Sequence, residues 1–160
     1  MERIDKIIQN EKFRKLLADI AELEKDRIFC HHDMDHFLDV ARIASLMAED
    51  EKIDADREII YAASILHDIG RGEQYRNGTP HEAASALIAP EILKQCDFTE
   101  DEISVITEAI REHGNEDISD AKDINGLVYR ADKASRKCYL CTATDECHKA
   151  IKKRVMNIKY

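Results

Sequence analysis

Histidine and aspartate residues occupy positions of this chain that a helical protein normally gives to apolar side chains. His67 and Asp68 end the apolar stretch Ala-Ala-Ser-Ile-Leu-His-Asp-Ile-Gly. Further residues of these types lie in the apolar register of other predicted helices, where spacings of three, four and seven select one helix face. They are His36, His81, His113 and Asp132. Burying each unpaired polar group would cost roughly 2–7 kcal/mol, so the fold must bring these residues together around something that compensates them.

A bound metal is the simplest compensation. One histidine on an apolar face is more often a core residue with an internal partner, but four of them with two aspartates strain that interpretation. Imidazole together with carboxylate suits Fe, Mn, Co, Ni or Zn better than Mg alone. Six ligand groups exceed the needs of one tetrahedral zinc ion and suit two ions about 3.5–4 Å apart. The sequence therefore predicts two divalent transition metals, with Fe or Mn expected first, and Asp68 is the natural bridge between them.

The whole chain shows helical periodicity. Only five Gly and two Pro interrupt it, and no stretch alternates with period two. We expect an all-α bundle of about six to seven helices and a single domain over 1–160, with the motif core at about 30–136 and a cysteine-containing helical extension at 137–160. The first expected helix runs from Ile4 to Leu23 with a break near Asn10, the second from Asp33 or Asp35 to about Ala48, and the third from Asp54 to a C-terminal Gly70. Capping boxes at Thr79 and Thr99 begin the next two, which reach a kink or end at Pro90 and an end at His113. The last two helices are expected over 124–136 and 143–156. Residues 70–78 are expected to form a flexible polar loop.

Composition limits the classes of partner. A net charge of −9 argues against a general nucleic-acid or anionic-membrane binder. No run of about 18 apolar residues is present, and the N-terminus lacks the apolar region of a secretory signal. Five cysteines, an odd number, favour a reducing cytoplasm over a disulfide framework. We therefore expect a cytoplasmic protein, and a homodimer is compatible with the sequence.

The order of the six ligand-type residues resembles the HD-domain superfamily of metal-dependent phosphohydrolases. The segments Asp-His-Phe-Leu-Asp-Val-Ala-Arg, Ile-Leu-His-Asp-Ile-Gly-Arg and Tyr-Arg-Ala-Asp-Lys-Ala-Ser-Arg carry the likeness. The resemblance implies that one metal is held by His36, His67, Asp68 and Asp132, and the second by Asp68, His81 and His113. The two extra histidines match the dinuclear branch. Many dinuclear members have Lys after His-Asp-x-Gly, where this chain has Arg71, which keeps the charge but does not transfer protons.

The resemblance implies hydrolysis of a phosphate ester or anhydride, with a nucleotide or dinucleotide as the expected substrate. The metals act as Lewis acids, and a hydroxide that bridges them attacks phosphorus. Phosphate chemistry also needs cations near the transferred group. We expect Asp68, Arg71 and Lys133 to serve catalysis, and substrate to contact Arg71, Arg76, Lys133 and Arg136. Ordinary surface charge is the competing interpretation of these cations, and for Arg76 it is at least as strong.

Two other functions are compatible with the same residues. Some HD-domain relatives use the six-ligand set in mixed-valent di-iron oxygenases. A non-catalytic sensor could also use the fold to bind a nucleotide, although a pure binder has no need of a complete dinuclear site. Metal analysis with a phosphatase screen separates the three.

Further ligand-type residues lie outside the main set. His32 precedes His36 by four residues, a position that some relatives use as an acid, but we expect no such role because it lies before the helix begins. Three cysteines within ten residues form the pattern Cys138-x2-Cys141-x5-Cys147, with Cys30 or His148 as a fourth group. This pattern suggests either a second metal cluster or a set of reduced thiols.

Overall fold

A computed structural model describes all 160 residues, which form eight α-helices and no strand. The helices are α1 (Glu2–Gln9), α2 (Glu11–Leu23), α3 (Met34–Glu51), α4 (Arg57–Leu66), α5 (Arg71–Asn77), α6 (His81–Gln95), α7 (Glu100–Glu112) and α8 (Ile124–Ala134). Short 3-10 turns cover Glu116–Ile118, Cys138–Leu140 and Ile151–Lys153. None of the helices combines the length and apolar character that a membrane span requires. The all-α prediction is confirmed.

Helix α4 lies at the centre of the bundle. Seven of its ten residues are buried, and it packs against α1, α3, α6, α7 and α8. Small side chains at Ala62, Ala63 and Ser64 let neighbouring helices approach closely. The main core surrounds this helix, while a smaller apolar cluster lies around α3 and α8. Because α4 ends at Leu66, the following His67 and Asp68 emerge in the middle of the fold.

Several helix ends match the sequence prediction and others do not. Asn10 caps α2 and breaks the first predicted helix, Asp33 caps α3, and Thr99 forms the predicted capping box with Glu102. Asp54 does not cap α4. Asp56 does, because its carboxylate accepts hydrogen bonds from the Glu58 and Ile59 amides in the first turn.

The capping box predicted at Thr79 is absent. The Thr79 hydroxyl donates to Asn77 Oδ1 at 2.7 Å, and the Glu82 carboxylate lies 2.9 Å from His81 Nδ1. Pro80 is therefore the N-cap residue and offers no side-chain cap bond. Pro90 lies within α6 and does not end it, since apolar residues on both sides of it are buried in the core.

The segment predicted as a flexible loop at 70–78 contains helix α5. Gly70 does not end a helix with a positive φ; its φ is −86°, and it is the N-cap of α5. An added Cβ there would lie 2.4 Å from the backbone nitrogen of Ser85, and its amide donates to Ser85 Oγ at 2.8 Å. Glycine is needed at this position because a side chain would collide with the backbone of α6. A positive φ is not the reason.

The predicted C-terminal helix over 143–156 is not formed. Segment 137–160 contains only two 3-10 turns, and Cys138 and Ala143 are its only buried residues. Ile151 and Ile158 are 78% and 72% exposed. A helix in a protein is stabilised mainly by packing of its apolar face, and here no other helix covers that face.

Candidate metal centre

The predicted ligands lie at or next to the ends of five helices, and these ends meet at one place. His36 lies in the first turn of α3, and His81 is the first residue of α6. His67 and His113 are the C-cap residues of α4 and α7, while Asp132 lies in the last turn of α8. Because these helix ends converge at one point of the bundle, the ligand side chains that they carry form a cluster there.

Asp68 lies at the middle of the cluster, and its two oxygens face different histidines. Oδ1 is 3.2 Å from Nε2 of His81 and 3.6 Å from Nε2 of His113. Oδ2 is 3.3 Å from Nε2 of His67 and 3.7 Å from Nε2 of His36. The carboxyl group is buried, with 1% of its side chain exposed. This division of oxygens is the one that a bridging carboxylate requires.

Hydrogen bonds fix which nitrogen of each histidine carries the proton. The Nδ1 groups of His67 and His113 each donate at 2.6 Å to a carbonyl oxygen three residues earlier. His36 Nδ1 lies 3.3 Å from Ser135 Oγ, whose proton goes to the Asp132 carbonyl, so His36 donates there. In each neutral ring the Nε2 lone pair therefore points towards the cluster.

The Nε2 lone pairs are suited to binding a metal, and two of these buried nitrogen atoms have no hydrogen-bond partner within the protein. Nε2 of His36 and Nε2 of His67 are buried without a hydrogen-bond partner. Nε2 of His81 and Nε2 of His113 lie 3.1 Å apart, and His113 has its proton on Nδ1. His81 Nδ1 lies 2.9 Å from a Glu82 oxygen but is buried without a hydrogen-bond partner, so the proton of the neutral ring can lie on Nε2 and be donated to His113. A cation bound by both rings would take the place of this proton.

Two ligand groups can be traced from the distances. Ligand atoms of His36, His67 and Asp132 lie within 4.8 Å of one another, and so do those of His67, Asp68 and His113. His81 joins the second group through its 3.2 Å contact with Asp68. All six predicted ligands are therefore in the cluster, and the residues present fit divalent metal.

Electrostatics favour neutral His67 and His81 and ionised aspartates, whereas the facing carboxylates of Asp68 and Asp132 raise the pKa of His36 against the effect of burial. Burial lowers the pKa of His67, and burial lowers the pKa of His81 to about 3. Burial alone would raise the pKa of Asp68, but the electrostatic effect of the surrounding histidines, His67 first, and of the Arg71 guanidinium holds it well below its usual range. Asp132 behaves in the same way, with Lys133 as the strongest opposing charge. Neutral imidazoles and ionised carboxylates are the forms that bind metal.

Lys133 and Arg136 hold Asp132 in place. Lys133 Nζ donates to Asp132 Oδ2 at 2.6 Å and to the His113 carbonyl at 2.9 Å. Arg136 Nη2 lies 3.8 Å from Asp132 Oδ2. Lys133 is thus committed to two ligand residues, whereas Arg136 also lines the neighbouring cavity.

Arg71 contacts the Asp68 carboxylate directly. Its Nε donates to Asp68 Oδ1 at 2.9 Å, its Nη2 to Asp68 Oδ2 at 3.2 Å, and its Nη1 to Gln74 at 3.0 Å. The expected loop position is wrong, since Arg71 begins α5. The side chain nevertheless lines the cavity beside the cluster.

Arg76 does not reach the cluster. Its guanidinium pairs with Asp19 of α2 and Glu73 of α5, and it does not line the cavity. These ion pairs hold the Arg76 side chain away from the cavity, and its contact with substrate stays a prediction.

His32 belongs to the site, although it lies before α3 as expected. The residue is 8% exposed, its Nδ1 is hydrogen-bonded to Glu24, and its Nε2 lies 3.7 Å from Asp68 Oδ2. Glu24 also accepts hydrogen bonds from the His32 amide and the Tyr75 hydroxyl. The four-residue spacing to His36 was the only sequence signal for this position, and no helical register supported it.

A cavity of about 560 Å³ opens beside the cluster and is lined by His32, His36, Arg71 and Asp132 among others. Its lining contains six Lys or Arg residues against four Asp residues, although the whole chain has 24 basic against 33 acidic residues. The cavity therefore has the opposite charge balance to the rest of the protein and favours an anion.

The three cysteines of the C-x2-C-x5-C pattern line the same cavity, as do Cys30 and His148. No three of the cysteine sulfurs lie within 4.8 Å of one another. A compact mononuclear site of the kind the spacing suggests is therefore not formed by these side chains.

The HD domain family model matches residues 33–137 of the chain. The chain belongs to the HD domain family. This HD domain is 42% identical over 160 residues to an uncharacterised protein of Clostridium beijerinckii, and the match covers 100% of both chains. It is also similar to a solved structure, a predicted HD superfamily hydrolase from an uncultured Thermotogales bacterium. That match has 27% identity and a TM-score of 0.58, and it covers 76% of this chain and 66% of that one, just under two thirds. Family membership and the His/Asp cluster together indicate a divalent metal site.

Proposed function

We propose that this HD domain is a metal-dependent phosphohydrolase that acts on a phosphate ester or anhydride of a small molecule. A nucleotide or dinucleotide is the substrate class that we expect. The observation that carries the proposal is the position of Asp68, whose two oxygens face separate histidine pairs at the edge of a cationic cavity. The similarity to the Thermotogales protein, a predicted HD superfamily hydrolase, supports it.

Two metal ions, with Fe or Mn expected first, would be held by His36, His67, Asp68 and Asp132 and by Asp68, His81 and His113. When bound, they supply Lewis-acid charge and lower the pKa of a water molecule to near neutrality. The protein's own part is to present six ligand groups, with the protonation of His67 and His113 fixed in advance. The Nδ1 bonds of His67 and His113 prevent ring rotation, so the lone pairs need no reorganisation.

Cations of the cavity bind and orient the phosphate. Arg71 and Arg136 lie beside Asp68 and Asp132, so a phosphoryl group at the metal cluster would lie within reach of both guanidinium groups. A guanidinium group matches phosphate oxygens with two parallel hydrogen bonds. Lys133 acts mainly by positioning Asp132 and His113, because both of its contacts go to these residues.

His32 is the group best placed to give a proton to the leaving oxygen. Its Nδ1 is held by the buried Glu24, and its Nε2 faces the cluster from the cavity wall. A carboxylate behind an imidazole fixes the orientation of the ring. Tyr75 holds the other side of Glu24 and keeps that carboxylate aimed at His32.

Metal analysis and a substrate screen on the same preparation test the proposal. We expect about two transition metals per chain and metal-dependent release of inorganic phosphate from nucleotides or dinucleotides. Dioxygen consumption with two irons and no phosphate release would favour the oxygenase alternative. Nucleotide binding without any turnover in metal-replete protein would leave a sensor.

A further inference from the structure

The hydrolase site leaves the cysteines unused, although four of the five line the cavity beside it. These are Cys30, Cys138, Cys141 and Cys147. The fifth, Cys96, is buried in the apolar core at the end of α6. None of the five is in a disulfide. Thiolates are the ligands that zinc and iron–sulfur clusters prefer, so four thiols on one cavity are a candidate metal site.

The backbone around these cysteines is arranged in tight turns. The Cys141 amide donates to the Cys138 carbonyl at 3.2 Å, which closes a 3-10 turn, and the Cys147 amide donates to the Thr144 carbonyl at 3.4 Å. A turn of this kind between two cysteines brings their side chains to the same side of the chain. The sequence spacing and the local structure therefore agree.

Two arginines hold the main chain at cysteines that are distant in sequence. Arg27 Nε donates to the Cys30 carbonyl at 2.9 Å, and Arg154 Nη2 donates to the Cys147 carbonyl at 3.0 Å. These bonds fix both edges of the thiol-lined region without using the sulfur atoms. The thiols are left free to bind a ligand.

The C-terminal segment needs a stabilising contact that its apolar residues do not provide. In segment 137–160 only Cys138 and Ala143 are buried, and Leu140 is 75% exposed. Ordering each residue costs about 1–2 kcal/mol in backbone entropy, which so little buried surface does not offset. A metal centre would offset this cost, because its binding free energy becomes folding free energy.

Cationic side chains line the cavity together with the thiols. Burial raises the pKa of Cys30, as does the charge of Cys138, whereas Lys149 and Arg136 oppose the increase. Burial lowers the pKa of Lys149, which also faces Asp132. Arg136 and Lys149 line the same cavity as the thiols, where their charges would partly neutralise a cluster bound by thiolates.

We propose that four thiols of this cavity bind an iron–sulfur cluster that fastens the C-terminal segment to the cavity wall; the ligands are Cys30, Cys138, Cys141 and Cys147. A single tetrahedral zinc ion would need sulfurs about 3.8 Å apart, given a Zn–S distance of about 2.3 Å. No three of these sulfurs lie within 4.8 Å of one another. In a [4Fe–4S] cluster each cysteine binds a different iron, and in a [2Fe–2S] cluster only two cysteines bind the same iron, so neither cluster needs three sulfurs this close together.

Anaerobic purification of the full chain tests this proposal. We expect about two or about four acid-labile sulfides per chain, with visible absorption that bleaches on reduction with dithionite. Sulfide is the decisive measurement, because iron alone could come from the His/Asp cluster. Neither readout depends on hydrolase activity, so this proposal and the proposed function can fail separately.

Matched variants assign the ligands. Cys138→Ala and Cys147→Ala should lose at least four fifths of the sulfide, while Cys96→Ala, which changes the core thiol, should keep it. Asp68→Ala should lose metal from the catalytic cluster and keep the sulfide. Limited proteolysis should cut segment 137–160 faster in Cys138→Ala than in Cys96→Ala, with helical circular dichroism unchanged in both.

Three results would refute the proposed iron–sulfur cluster. One is the absence of sulfide both in anaerobically purified protein and after reconstitution with ferrous iron and sulfide. Another is full retention of sulfide in Cys138→Ala and Cys147→Ala. The third is one zinc per chain without sulfide, lost in those two variants.

Discussion

Arg71 should compete with the metal ions for Asp68, and this can be tested with Arg71→Ala. The guanidinium donates to both oxygens of Asp68 at 2.9 and 3.2 Å, and the same oxygens face the histidine pairs that would hold the metals. In protein stripped of metal by a chelator, Arg71 is the full positive charge nearest to this carboxylate. In metal-loaded protein, the ions take over its neutralisation and repel the guanidinium.

The magnitude follows from the burial of the pair. Removing one partner of a buried ion pair costs about 3–5 kcal/mol. The Asp68 side chain is 1% exposed, but that of Arg71 is 19% exposed, so we take the lower end, about 3 kcal/mol, for the metal-free protein. At about 2–4 °C per kcal/mol for a chain of this size, Tm should fall by roughly 6–12 °C. In metal-loaded protein the loss should be about 1 kcal/mol, as for an exposed pair.

Arg71→Ala should therefore destabilise the metal-free protein by about 2 kcal/mol more than the metal-loaded protein. This difference should appear as tighter metal binding. It corresponds to roughly 30-fold in the metal dissociation constant of Arg71→Ala. The same variant should lose roughly tenfold to a hundredfold in kcat/KM, because a charge-assisted contact with phosphate is worth about 1.5–3 kcal/mol. Thermal unfolding with chelator and with metal, metal titration and steady-state kinetics measure these quantities.

Arg76→Ala is the matched control. Arg76 lies on the same short helix but pairs with Asp19 and Glu73 outside the cavity. It should change Tm equally with and without metal and leave metal affinity unaltered. Weaker metal binding in Arg71→Ala would refute the competition and show that Arg71 orients Asp68 as a ligand. Equal loss of Tm in both forms would also refute it.

Three further predictions address the carboxylates and His32. Asp68→Ala should lower metal content from about two ions to one or none per chain and abolish phosphate release; normal turnover would contradict the bridging assignment. His32→Gln should lower kcat by about a hundredfold with metal content and KM close to wild type; loss of metal instead would make His32 a ligand. The pKa of Glu24 is lowered from 4.5 to about 2, because hydrogen bonds from His32 and Tyr75 outweigh the opposing effect of burial. A lowered pKa stabilises the folded protein above pH 4.5, by at most about 3 kcal/mol, and this contribution is lost as the pH falls from 4.5 to 2. In denaturant unfolding, Glu24→Gln should therefore be less stable than wild type at pH 7 and nearly equal to it at pH 2.5; an equal gap at both pH values would contradict this origin.

The six-residue cluster could be predicted because helical spacing determines which side chains share a face. His36, His113 and Asp132 each continue an apolar stripe, and a stripe of this kind must point to the core. The convergence of the stripes on one point then follows from packing helices around one centre. The sequence could not say which oxygen of Asp68 faces which histidine, because that depends on the ends of five helices.

The contact between His32 and Glu24 could not be predicted from helical periodicity. His32 precedes α3, so no helical register fixes its direction, and Glu24 is the C-cap of α2. Tyr75 reaches Glu24 from α5, 51 residues further along the chain. Only the packing of α2 against α5 brings the carboxylate and the hydroxyl together. Helix α5 itself was missed because it is short, polar and bounded by glycines, and it forms by packing against α2 and α6.

The C-terminal segment shows the opposite failure, in which a pattern predicted a helix that does not form. Apolar residues at 151, 155 and 158 have helical spacing, yet a spacing stabilises a helix only when another surface covers the face it creates. Helices α3 and α8 already bury their apolar residues against each other, which leaves no uncovered core surface for a further helix. The segment instead follows the cavity wall, where Lys137 pairs with Asp39 at 2.8 Å and Lys153 with Glu116 at 2.9 Å. Exposed pairs of this kind contribute about 0–1 kcal/mol each, too little to order 24 residues. The cysteines, which periodicity treats as small apolar side chains, are therefore the residues in this segment with the greatest capacity to stabilise it.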